Sequence, residues 1–282
     1  MPLDQENIRA TFRKLSRQLS KLANKPAAES VHRFRTSSRR VEVLVADLAR
    51  KRSRNDRKLL KLLARLRKTA GRVRDLDVQT AALRSLKIPQ EPARKSQLMR
   101  TLAEERARRE KKLVKVLDKK TVADVRKRLK RAVRDLEIAK DADPRSLALQ
   151  KVAALELDHT AVTEETLHRF RIAGKRARYI AELADKDADA IRLVEQLKHL
   201  QDVIGDWHDW AQLSQGAEKL FGGVQDSALV AALGNVTRAK FRQAVHTLTE
   251  TQATLTAKKP ASVTTMGRRP SRPSSKAAAA VA

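Results

Sequence analysis

Cysteine is absent from this 282-residue chain, which excludes disulfides and thiolate chemistry and fits a reducing compartment. Aromatic residues make up only 3%, a shortage that argues against base-stacking on single-stranded nucleic acid. No apolar run approaches the roughly 18–20 residues that a membrane-spanning helix needs. The first ten residues carry Asp4 and Glu6 and no apolar core of a secretory signal. The expectation is a cytoplasmic protein with no membrane partner and no cofactor. Acidic residues are also few: 33 against 62 Lys and Arg, a net charge of +29. A charge of that size calls for polyanionic company, whether nucleic acid, polyphosphate or an acidic surface.

Glycine and proline number only eight each, and several fall between or beyond long amphipathic stretches. These stretches run over about 4–23, 28–52, 56–86, 93–117 and 119–141. In the second half they run over about 145–157, 164–183, 188–213 and 226–256. Ser30 is placed to cap the second, and Thr163 precedes the seventh. No stretch keeps the period-two alternation of a half-buried strand. The pattern predicts an all-α protein of two four-helix bundles, with halves at 1–118 and 119–256. From 257 onward Lys, Arg, Pro, Ser and Ala dominate, and this 257–282 segment reads as a disordered basic tail. It carries six of the basic residues, so the rest of the chain keeps +23.

The chain also repeats itself. Val31-His32-Arg33-Phe34-Arg35 returns as Leu167-His168-Arg169-Phe170-Arg171, 136 residues later, an interval the size of a domain. At helical spacing, His32, Arg35 and Arg39 share one face, while Phe34, Val41, Val45 and Leu48 share the opposite one. His168, Arg171, Lys175 and Arg178 form the equivalent face, backed by Phe170, Ala177, Ala181 and Ala184. Arg40 and Arg176 fall at the edge, within reach of a ligand or of a neighbouring carboxylate. Guanidinium groups make paired hydrogen bonds to phosphate oxygens, Lys adds a compact charge, and imidazole can donate or carry charge. Residues at i, i+3 and i+7 extend about 10 Å along the axis, which suits successive phosphates of a linear polyanion. Arg33 and Arg169, within the repeat itself, join the candidates.

A second element also recurs. Leu66-Arg67 through Gly71 to Arg74-Asp75 corresponds to Leu200-Gln201 through Gly205 to His208-Asp209. A glycine inside a helical pattern costs about 1 kcal/mol and implies close packing or close approach. Asp75 and Asp209 are expected to pair with Arg40 and Arg176. Arg67, Arg74, Lys198, Gln201 and His208 are secondary ligand candidates beside these glycines.

The ordered set of His32-x-x-Arg35-x-x-x-Arg39-Arg40, Arg74-Asp75, His168-x-x-Arg171-x-x-x-Lys175-Arg176-x-Arg178 and His208-Asp209 resembles the CHAD family, the conserved histidine α-helical domain. The resemblance covers roughly residues 4–256. It implies two helical bundles related by a pseudo-twofold axis, a basic surface near their junction that binds inorganic polyphosphate, and association with polyphosphate granules. Where the second copy has Arg178, the first has Glu42, which weakens that position as a ligand. Relatives often carry a triphosphatase domain with Glu-x-Glu-x-Lys on a strand. Neither that motif nor strands occur here, so no enzyme, catalytic residue or metal site is expected.

Two other readings compete. Counterion release would serve duplex DNA as well as polyphosphate, and the basic tail suits non-specific nucleic-acid binding. His168, His208-Asp209 and Asp226 follow the order of a helical metal-dependent phosphohydrolase. Yet the first copy replaces the His-Asp pair with Arg74-Asp75, and surrounding cations oppose a divalent metal.

Overall fold

A computed structural model of the protein describes residues 5–138, 143–153, 162–184 and 187–257. The basic tail beyond residue 257, and the end of the helix expected over 145–157, lie outside these residues. Among the described residues the chain is all helical, with one isolated bridge between Ala49 and Ile138 in place of any sheet.

The helices are α1 (Gln5–Asn24), α2 (Ala28–Val43), α3 (Arg54–Ser85), α4 (Pro92–Val116) and α5 (Lys119–Asp135), followed by α6 (Pro144–Ala153), α7 (Glu164–Ala181), α8 (Ala188–Phe221) and α9 (Ala228–Ala257). Local chemistry sets their ends. Ser53 and Asp56 close a reciprocal capping box on α3. Thr163 accepts the Thr166 amide at the start of α7, and Gly222 ends α8 at a φ of 85° that favours glycine. Ser30 does not cap α2; its hydroxyl donates back to the Lys25 and Ala27 carbonyls, and Ala27 stands at the cap with no side-chain bond. The repeat helix also stops short of residue 52. It loosens into a π-helical turn over Leu44–Leu48, a distortion that recurs at functional sites.

Apolar stripes decide the packing. The largest cluster joins Phe12, Leu15 and Leu19 of α1 to Phe34 and Val41 of α2 and Leu63 of α3. Val125 and Leu129 of α5 close this cluster, and Ile180 of α7 and Leu197 of α8 extend it into the second half. A second cluster ties Leu83 at the end of α3 and Leu98 of α4 to Trp210 and Leu213 of α8 and Leu233 of α9. A third sets Phe170 of α7 against Ile204 and Trp207 of α8 and Leu248 of α9. Each repeat helix packs on the long helix that follows it, α2 on α3 and α7 on α8. Between the halves α2 also meets α7, and α3 meets α8.

Phe34 is fully buried at the back of α2. Truncating it leaves a cavity that neighbouring helices fill only in part, so Phe34→Ala should cost about 3–5 kcal/mol. Urea unfolding followed by far-UV circular dichroism measures this; a loss under about 1 kcal/mol would contradict the packing.

Candidate functional site

The contact of α2 with α7 brings the two repeats together. Arg40 on α2 donates through Nε to Glu182 just beyond α7, at 2.8 Å. Arg176 on α7 reaches the opposite way, grasping both oxygens of Asp47 in the π turn at 2.9 and 2.5 Å. The Asp47 side chain is only 4% exposed, so this guanidinium neutralises a carboxylate that could not stand alone. These are not the partners expected from sequence. Asp75 and Asp209 leave Arg40 and Arg176 to Glu182 and Asp47 because, one helix turn or more along, each Arg meets an acid of the other half.

Asp75 and Asp209 instead lie among the cations. Burial raises the Asp75 pKa, opposed by Arg35 and reinforced by Asp209, with Arg171 and His208 also within electrostatic reach. Burial likewise lowers the Arg35 pKa, Asp75 opposes that, and Arg39 and Arg171 push it down further. Lys175 is pulled down to about 7, first by burial, then by Arg171 and Arg35 against the pull of Asp209. His32 falls below its ordinary value through burial and the nearby Arg74. His168 and His208 stack with ring centres 6.4 Å apart, and His208 Nδ1 lies 3.4 Å from Asp209. Arg35, Arg39, Arg171 and Lys175 from the two repeats thus share one field.

The Gly71 position explains how Arg35 fits. Its guanidinium lies on the α3 backbone, with Nη1 donating to the Arg67 carbonyl at 3.2 Å. A Cβ on Gly71 would stand 2.1 Å from that Nη1. Gly205 carries no such guest: a Cβ there meets nothing within 4 Å. Only the first glycine serves close approach.

Other candidates divide. Arg67 is withdrawn from the ligand surface: it is 7% exposed and donates to Ser38 at 3.0 Å and Glu42 at 2.8 Å. Its counterpart Gln201 is also buried and donates to the Gly174 carbonyl at 2.8 Å. Both side chains bind a long helix to its repeat helix. Glu42 also takes Arg39 at 2.9 Å, although the Arg39 side chain stays 50% exposed. Arg178 is largely buried over the Tyr179 ring, 4.8 Å from its centre, and faces Glu182 at 3.4 Å. Arg171 Nε is buried and makes no hydrogen bond among the described residues. Arg33 pairs with Glu29 one turn earlier, and Arg33, Arg169 and Lys198 are exposed. Asp226 does not join His168 and His208: it accepts the Gly223 amide at 2.8 Å, and its own carbonyl receives Arg94 of α4.

Of Arg35, Arg39, Arg171 and Lys175, only Arg39 is exposed to solvent. The other three are half-buried, Arg35 with its guanidinium against the α3 backbone. Sequence reasoning passed over Asp47, Glu182 and Tyr179. Asp47 and Glu182 lie seven and six residues after the arginines of their own halves, and that local spacing conceals a cross-half exchange.

Among the described residues, helices alone gather the cations of a duplicated motif around two acids. A model of the CHAD domain matches residues 6–218, and the chain belongs to that family, whose known property is polyphosphate binding. Solved structures agree on the fold. PptA from Streptomyces chartreusis superposes with a TM-score of 0.62 at 17% identity, over 92% of this chain and 100% of that one. The CHAD domain from the plant Ricinus communis gives 0.64 at 18% identity, over 89% and 90%. No curated protein matches the sequence. Among the described residues no helix is long and apolar enough to cross a membrane.

The two glycines offer a direct test. Gly205→Ala should gain about 0.5–1 kcal/mol of stability from helix propensity. Gly71→Ala should gain less or lose, because it evicts Arg35 from its seat. Parallel urea titrations compare them; equal gains would mean Arg35 does not occupy the α3 backbone.

Proposed function

We propose that this protein binds inorganic polyphosphate where α2 and α7 meet, through Arg35, Arg39, Arg171, Lys175, His32, His168 and His208. Arg74, Arg169, Arg176, Arg178, Arg33, Arg40 and Lys198 contribute to the surrounding positive field. The observation that carries this reading is the convergence of Arg35, Arg39, Arg171 and Lys175, where burial first, and then Arg171 and Arg35, bring the Lys175 ammonium down to about 7. Cations so crowded repel one another and are poorly solvated, and an anion relieves both penalties. The buried, unbonded Arg171 Nε is a donor awaiting an acceptor. The role is binding, not catalysis, and its setting is the polyphosphate granule.

Duplex DNA is the alternative polyanion, and competition separates the two. Long-chain polyphosphate should displace a labelled duplex at a much lower phosphate concentration than unlabelled duplex does. Equal displacement would favour nucleic acid. Arg39→Ala and Arg171→Ala should each weaken polyphosphate binding roughly 10- to 100-fold, the range for a lost charge-assisted hydrogen bond. Each should also flatten the slope of log affinity against log salt by about one. Unchanged slopes would remove these side chains from the interface.

Lys175 adds a pH signature. With its pKa near 7 in the free protein, it is mostly neutral at pH 8, and a bound polyanion raises that pKa. Binding at pH 8 should then take up close to one proton and weaken as pH rises above 7, whereas at pH 6 little uptake remains. Calorimetry in buffers of different ionisation enthalpy reads the uptake. Lys175→Arg should abolish it while keeping most of the affinity, and uptake that persists in the variant would assign it elsewhere.

A further inference from the structure

A second concave surface lies on the first half, between α1 and α5. It is a cleft of about 760 Å³, and it shares no lining residue with the α2–α7 site. Its floor is apolar: Phe12 and Leu129 are buried in the core, and Val133 and Leu136 are half-buried beside them. Its rim is cationic. Arg9 and Arg13 project from α1, and Arg126 and Lys130 from α5, all exposed. Arg13 is held by Glu6 and Arg126 by the Ser20 hydroxyl. Arg9 and Lys130 make no ion pair among the described residues. Among the described residues no carboxylate lines the cleft, and Gln5 and Ser16 are its only neutral hydrogen-bonding side chains.

Polyphosphate would use the rim and leave the floor wet. A nucleotide base needs edge partners and an exposed ring to stack on, whereas Phe12 is 3% exposed and two neutral polar side chains give little to read. An aliphatic chain bearing one anionic head uses both parts, covering the half-buried Val133 and Leu136 above Leu129 while the head meets the guanidinium and ammonium groups. Lys and Arg stems add apolar wall beneath charged tips, as they do against other amphiphiles.

We propose that the α1–α5 cleft is a binding site for a single-chain amphiphilic anion, an acyl chain carrying a phosphate or carboxylate head. The site is separate from the polyphosphate surface, and the proposal does not depend on that reading.

The test titrates the full chain calorimetrically with lauroyl lysophosphatidate below its critical micelle concentration, with glycerol 3-phosphate and ATP in parallel. Lauroyl lysophosphatidate should bind at least 100-fold more tightly than glycerol 3-phosphate. Affinity should climb roughly fourfold per added methylene until the cleft is filled. The double variant R9E/K130E should lower it at least 10-fold, with helicity and melting unchanged because both side chains are exposed. Glycerol 3-phosphate binding as tightly would reduce the cleft to a patch of charge and overturn the proposal. So would ATP binding equally well with the same dependence on Arg9 and Lys130, or lauroyl binding indifferent to R9E/K130E.

Discussion

The exchange of Arg40 for Glu182 and Arg176 for Asp47 across the α2–α7 contact is the constraint on which the rest depends. Each repeat helix lends a guanidinium to an acid of the other half, so two like-charged helices are held side by side. The Asp47 side chain is almost fully buried against its partner, and removing one member of such a pair typically costs several kcal/mol. The clamp lies at the edge of the cationic rows. It fixes their separation and leaves the middle of each row to face the other.

That arrangement works against the fold. Arg35 and Lys175 both bind protons less readily than they would in water, chiefly through burial and then through each other's neighbours. For a lysine depressed in this way the destabilisation is absent above its ordinary pKa. It grows as pH falls and is complete below about 7. Asp75 and Asp209 temper the crowding, but they are two acids, one of them itself pushed up by burial, among at least four cations. Stability given up at a site in this manner is recovered on binding, which is how a rigid helical scaffold can favour a polyanion over water. The α1–α5 cleft differs in kind. Its cations are exposed and its floor apolar, so it asks for a ligand with a greasy part.

Much of this was legible in the residues. The all-α class followed from the apolar periodicity, and the buried Phe34, Val41, Val45 and Leu48 lie where helical spacing put them. The duplicated His-x-x-Arg motif carried the family resemblance, and Gly71 announced a close approach. Less legible was the fate of individual charges. Arg67 looked like a ligand and is a buried tie to Ser38 and Glu42; Gly205 matched Gly71 by alignment and seats nothing. Glu42, read as a weakened ligand position, instead anchors two arginines.

The sequence by itself determined helices, their apolar backs, the cationic faces and the excess of positive charge, because these depend on residues within a few turns of one another. Tertiary structure alone decided which cations meet and which acids hold them, and which guanidinium groups are consumed inside the fold. Ion pairs between residues 129 or 142 positions apart depend on how two helices cross. A long Arg side chain will take whichever carboxylate that crossing brings within its reach.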